Sequence, residues 1–328
     1  MTAIACGECR AEVPAGARNC PACAAPVLAN FMPDPRLAAA RARRASEHTG
    51  RNILIGIVIV LGCLALLARC ASFFGEVSQR ADARKEAGAL ADTSRELLLA
   101  EKRRLDDADN GGAPAQTQAL PANPAPATIA PATNAAELLR GMNRIVRELH
   151  ARNLRDQVRL QAEVAALQLE TVLSPQNLTD ARGIADGQAA MRRYLGLVEA
   201  AYTATRADRV ELDRRIYTLA GDTALSARFI QGYEQSKSQR VALENAQVAN
   251  QRRVVAATQA LLGFAHSRLG RISLDQGELL FRSQSDLDTY QRLLADFDRE
   301  AALEQDIANR QRKMIDEALA NAEQLKAL

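Results

Sequence analysis

Residues 53–68 read ILIGIVIVLGCLALLA, sixteen apolar residues without interruption. The run extends to Phe74 if Arg69 bends its guanidinium outward along its own aliphatic stem. Twenty-two helical residues at about 1.5 Å each reach ~33 Å, the thickness of a bilayer hydrocarbon core. A soluble helix that apolar needs an all-round apolar shell, and the rest of the chain does not supply one. Aromatic residues are 4% of the 328, tryptophan is absent and 25% of the side chains are charged. The segment 53–74 is therefore expected to cross a membrane once. Fifty-two residues precede it and no small-residue cleavage site follows, so it reads as an uncleaved anchor. One alternative is a loose lipobox at Val60-Leu61-Gly62-Cys63, which would lipidate Cys63; the bulky Leu61 and the long leader argue against it.

The cysteines set the compartment of each side. Cys6, Cys9, Cys20 and Cys23 form two Cys-x-x-Cys pairs ten residues apart, Cys63 and Cys70 lie in the apolar run, and the remaining 258 residues have none. Two such pairs place four thiolates for one tetrahedral Zn²⁺, and a site filled by four protein ligands has no position left for a substrate water. Thiolates persist in a reducing compartment, so the N-terminus is expected in the cytosol. Arg41, Arg43, Arg44 and Arg51 before the run agree, because the flank after it mixes Arg69, Arg80, Arg84 and Lys85 with Glu76, Asp82 and Glu86. The three clustered arginines are read as a topology signal, with anionic headgroups as their alternative partner. Cys63 and Cys70 share a helix face and are read as packing residues.

Residues 4–27 closely resemble the short zinc-ribbon family, in which two knuckles flank a small hairpin. The resemblance rests on Cys6-Gly7-Glu8-Cys9, Cys20-Pro21-Ala22-Cys23 and the intervening Val13-Pro14-Ala15-Gly16-Ala17-Arg18-Asn19. It departs from the family at Arg10 and Ala24, where glycine usually follows each knuckle. It implies a structural zinc on Cys6, Cys9, Cys20 and Cys23, and a module that docks on protein in preference to nucleic acid. Seven arginines among residues 1–52 face four carboxylates and a zinc centre of about −2, which leaves little field for nucleic acid.

The remaining segments divide by composition. Residues 28–52 are a basic juxtamembrane linker. Residues 75–110 are charge-rich with Val77, Ala81, Leu90, Leu98 and Leu105 at helical spacing, which predicts an exposed helical stalk. Residues 111–134 hold five prolines among Ala and Thr with no charge, a linker able to stretch to ~70 Å and carry a distal domain off the bilayer.

From Ala135 the pattern is helical to the end. One stripe runs Met191, Leu195, Val198, Tyr202, Thr205, Leu212, Ile216 and Leu219, with a gap at Arg209. Another runs Leu287, Tyr290, Leu294, Phe297, Ala301, Ala308, Ile315, Ala318, Ala322 and Leu325. Breaks at Ser174-Pro175-Gln176-Asn177, at Ala220-Gly221-Asp222-Thr223 and across 269–285 cut the region into four helices of about 40 to 47 residues. Short loops make neighbours antiparallel. The expected fold class is mostly α: a small N-terminal zinc ribbon, one transmembrane helix and a long antiparallel helical bundle at 135–328 that folds by itself. The alternative is longer coiled coils that pair between chains as a homo-oligomer.

No catalytic constellation accompanies this architecture. His48, His150 and His266 lie in separate segments, and no phosphate loop or nucleophile elbow occurs. His150 and His266 read as surface or helix-end residues. Arg240, Gln247 and Asn250 interrupt a third stripe of Phe229, Leu243, Val254, Ala257, Leu261 and Phe264, and are read as a place where the helix rolls outward; a register device or a wet ligand site are the other readings. The chain is expected to be a single-pass protein of a bacterial-type inner membrane, N-terminus cytoplasmic and C-terminus periplasmic. It is expected to act as a non-enzymatic scaffold or adaptor with protein partners. A sensor whose bundle binds a small ligand or envelope component is the rival.

Overall fold

A computed structural model describes residues 3–5, 12–14, 22, 81–109, 128–221 and 224–327. The apolar run 53–74, the four cysteines expected to hold zinc, Cys63, Cys70, His48 and the arginines 41, 43 and 44 lie outside the described residues. Among the described residues no helix is long and apolar enough to cross a membrane.

Near the N-terminus, β1 (Ala3–Ala5) pairs antiparallel with β2 (Glu12–Pro14), with Ile4 opposite Val13. Five long helices follow: α1 (Ala81–Asp109), α2 (Ala135–Ala165), α4 (Ala181–Ala220), α5 (Ala224–Ser267) and α6 (Gln284–Ala327), with the single turn α3 (Pro175–Thr179) after α2. At 44 residues each, α5 and α6 are ~66 Å rods.

The helix starts are chemically marked. Asn134 accepts from the Glu137 amide at 3.0 Å, while the Glu137 carboxylate accepts from the Thr133 amide and hydroxyl at 2.8 Å. Those hydrogen bonds hold the Glu137 carboxyl below its usual range. Ser174 caps α3 with Pro175 at its first position, and Asp180 caps α4 by accepting from the Gly183 amide. Gly221 ends α4 at φ 61°, a conformation open to glycine. The break expected at 220–223 falls where α4 ends, whereas the one expected at 174–177 falls on α3, after the chain has already left α2 at Ala165.

Each long helix packs on two others in a closed ring, α1–α2–α4–α5–α6–α1. Here the expected stalk is corrected: α1 is part of the bundle. Ala87, Leu90, Ala91, Leu98 and Leu105 are buried in one apolar cluster with Leu138, Met142, Ile145, Leu149, Leu212, Ile216, Leu219, Phe229, Tyr233 and Ile315. The charge-rich composition of α1 misled because its charges pair with the flanking helices, Lys102 with Asp316 at 2.6 Å and Arg140 with Glu86 at 2.9 Å.

Among the helices of 135–328 the expected antiparallel order holds, and α1 adds one parallel pair. Contacts from α1 to α2 keep a constant separation in sequence, Glu86 to Arg140, Thr93 to Arg147 and Arg104 to Gln157, so these two helices run parallel. The other pairs are antiparallel, as Arg95–Glu323 and Lys102–Asp316 show for α1 and α6. Parallel neighbours require a long return connection. The Pro/Ala-rich stretch supplies it: it joins the two helices of one bundle and does not hold a bundle away from a stalk. Its end is fixed where the Ala132 amide donates to the Leu219 carbonyl at 2.8 Å.

A second apolar cluster fills the opposite end, where Ile184, Met191, Tyr194, Val198, Val254, Leu261, Leu262, Leu294 and Phe297 meet Leu178 of α3. A β-hairpin, β3 (Ile272–Asp275) and β4 (Glu278–Phe281), closes this end with Ile272 and Phe281 buried. Gln276 and Gly277 both have positive φ, 47° and 84°, as a two-residue turn of type I′ demands. The sequence reading took 269–285 only as a break. It also made the first helix too long. The chain leaves α2 at Ala165 and turns through Gln168, at φ 48°, and a 3-10 turn at Leu169–Thr171, which brings Val172 into the second cluster.

Candidate functional site

The stripes expected on α4 and α6 are largely the buried faces, with Met191, Val198, Leu212, Ile216, Leu219, Tyr290, Leu294, Phe297, Ala308, Ile315, Ala318 and Ala322 all in the core. Leu195, Tyr202 and Thr205 are only half-buried, and Tyr194, one residue from the expected position, is buried in place of Leu195. The gaps in these stripes prove more informative than the stripes. Arg209 on α4, the polar run of α5, Gln311 on α6, Glu101 and Arg104 on α1 and Gln157 on α2 lie along the middle stretch of the bundle.

The members of this polar layer are joined in short sets. Arg104 donates to Glu101 at 3.2 Å and to Gln157 Oε1 at 3.0 Å. Arg209 donates to Glu244, and Gln311 Nε2 reaches Gln247 Oε1 at 3.4 Å. Asn250 donates to the Glu300 carbonyl at 2.9 Å, while Gln251 accepts from the Tyr194 hydroxyl at 2.5 Å and donates to Glu304 at 2.9 Å. The expectation that α5 rolls outward at Arg240, Gln247 and Asn250 is therefore overturned. All three are buried, Arg240 with 1% of its surface exposed. They face inward because α5 packs on α4 at one side and α6 at the other, and the stripe continues along the same face.

The layer is also incompletely satisfied. Nε, Nη1 and Nη2 of Arg240, Nε2 of Gln247, one oxygen each of Glu101 and Glu244, Oδ1 of Asn250 and Oε1 of Gln311 are buried without a hydrogen-bond partner. Each such group costs about 1–3 kcal/mol, more than a bundle interior tolerates by accident. A set of donors and acceptors like this can hold a polar guest or ordered water.

Burial alters the titrating groups around the layer. Glu101 is pushed up to about 7 by desolvation, against the opposing pull of Arg104. Glu244 is raised for the same reason, against Arg209 and Arg240. His150 is pushed down to about 4, first by burial and then by the Arg104 charge. It is half-buried on α2, so the surface reading of His150 is corrected, whereas His266 does lie exposed in the last turn of α5.

A second buried polar feature lies nearer the α4–α5 connection. Glu148 and Arg215 form a two-pronged ion pair at 2.7 and 2.9 Å, both buried, linking α2 to α4. Both its charges are matched, and it reads as a register clamp.

The expected zinc ligands Cys6, Cys9, Cys20 and Cys23 lie outside the described residues. The described strands β1 and β2 bracket residues 6–11, the stretch that carries Cys6 and Cys9. Among the described residues no group of three or more His, Cys, Asp or Glu side chains is arranged to hold a metal ion. Comparison with protein-family models, curated proteins and solved structures returns no match.

Proposed function

We propose that this chain is a membrane-anchored scaffold or adaptor that holds protein partners on both sides of a bilayer and has no enzymatic activity. In this reading residues 53–74 span the inner membrane once. The ribbon, on a structural Zn²⁺ held by Cys6, Cys9, Cys20 and Cys23, lies in the cytoplasm, and the bundle lies in the periplasm. The observation that supports it most is the place of α1 in the bundle. Only residues 75–80 separate the apolar run from α1, a reach of at most ~25 Å. A partner docked on the bundle would be held at the membrane surface. The β1–β2 hairpin, bracketing the first cysteine pair, supports the ribbon.

The test is in cells. A cysteine placed near Leu328 should be labelled by an impermeant reagent in intact spheroplasts, and one placed near Ala3 should not. The reverse pattern would refute the topology. Photo-crosslinkers at the exposed apolar positions Val210 and Leu303 should trap one defined protein, or the chain itself if it is a homo-oligomer; no adduct at either would refute the scaffold. Cys20→Ser should strip one zinc per chain and unfold the ribbon while the helical signal of the bundle stays unchanged.

A sensor is the second reading, and the polar layer favours it. A scaffold interior has no need of unsatisfied donors and acceptors at its mid-height, whereas a ligand-binding one does. Ligand-dependent stabilisation of the protein separates the two.

A further inference from the structure

The Arg240 guanidinium stands out among the buried groups. Its five N–H bonds have no acceptor. Its nearest carboxylate, Glu244, lies 3.9 Å from Nε, a charge contact too long for a hydrogen bond, and Glu244 already accepts from Arg209. Two guanidinium groups therefore share one buried carboxylate, and within that set of three one positive charge is left over. Arg104 pairs with Glu101 and Arg253 with Glu300, while the half-buried Glu304 carboxylate, well along α6, takes the Gln251 amide. Unlike histidine or lysine, arginine cannot shed its proton to escape burial. An uncompensated guanidinium is among the most costly groups a protein interior can hold.

We infer that the polar layer is a binding site for one small monovalent anion, chloride or a short carboxylate, held by the Arg240 guanidinium between α4, α5 and α6. The charge left over sets the valence, because a divalent anion would exchange a positive excess for a negative one. The depth sets the size: with Arg240 almost wholly enclosed and apolar clusters on both sides, a bulky ligand could not be contained without opening the bundle. The fork of Nη1 and Nη2 matches a carboxylate in two-pronged geometry and a halide as a single acceptor. Arg209 already holds the same carboxylate from α4, so the anion takes the Arg240 charge that Glu244 leaves unmatched. This deepens the ligand-binding reading and rests on the bundle interior alone; the scaffold, the membrane span and the zinc site stand or fall separately.

The test uses the full chain in detergent micelles, exchanged into a gluconate buffer at fixed ionic strength and then titrated separately with chloride, formate, acetate and sulfate. Chloride or one of the short carboxylates should raise the melting temperature saturably, by about 5–10 °C at a hundred-fold excess over its dissociation constant. Sulfate should not. Arg240→Met should abolish the response without lowering the anion-free melting temperature. Arg252→Met, at an exposed ion pair with Glu199, should leave the response intact. Arg240→Lys, which keeps the charge and loses the fork, separates the sources: a response that survives identifies a halide, one that disappears a carboxylate, and both uphold the site. An equal response in Arg240→Met, or no anion-specific response in the natural protein, overturns it. A response to larger organic ligands only would also overturn it, while leaving the sensor reading in place.

Discussion

Glu101 allows the polar layer to be tested by pH. In the folded chain its carboxyl is pushed up to about 7 from 4.5, chiefly by burial. The folded state thus holds the proton more tightly than the unfolded state, and stability from this group is fully present below pH 4.5. It declines as pH rises through 4.5 to 7 and is lost above. The difference between the two values corresponds to on the order of 3 kcal/mol. Glu101→Gln keeps the shape and removes the ionisation. Urea unfolding of the full chain, followed by helical circular dichroism, should show the variant close to the natural protein at pH 4.5 and more stable by roughly 1–3 kcal/mol at pH 8; the lower end allows for the weakened contact to Arg104. His150 acts in the opposite sense. Its folded value of about 4 lies below the ordinary 6.5, so its contribution is present above 6.5 and lost as pH falls toward 4. Between pH 4.5 and 6.5 the two groups offset each other in the natural chain, and Glu101→Gln should expose the histidine's acid limb as a steeper fall. A difference between variant and natural protein that does not change with pH would refute the burial argument.

Arg215→Ala should cost about 3–5 kcal/mol in the same assay because it strands the Glu148 carboxylate, whereas Glu148→Leu with Arg215→Met should be nearly neutral; a cheap single change would mean that the pair is wet. Gly183→Ala should destabilise by roughly 1–3 kcal/mol, since the new Cβ would lie 2.8 Å from the Asn177 Cα, which is backbone and cannot yield. Gly196→Ala, with open space around it, should stabilise by about 0.5–1 kcal/mol; equal effects at the two glycines would refute the tight α3–α4 approach. Residues 135–328 alone should melt well below residues 81–328, because removing α1 uncovers the apolar face on which Leu90 and Leu98 pack; coincident melting curves would detach α1 from the bundle.

What could be read in the sequence follows from the range of each interaction. Caps and stripes are local, so Ser174, Gly221 and most of the faces of α4 and α6 were visible in the chain. The hairpin at 272–281 was local too, but its glutamine-glycine turn is a weaker signal than asparagine-glycine, and strands of four residues carry little periodicity. The place of α1 was hidden because it depends on partners more than fifty residues away in sequence, Arg140 and Arg147 on one side and the end of α6 on the other. Read singly, its charges resemble a solvated surface. The candidate site was hidden for a related reason. On any one helix Arg209, Arg240, Gln311 or Glu101 is a fault in an apolar stripe, and a fault at the centre of one stripe normally means that the helix has turned away. Four such faults along the middle of a closed ring cannot all turn away. Stacked, they become a buried polar section in which a cation is left over, and it is the coincidence of the interruptions across helices that marks where this bundle departs from what packing alone would select.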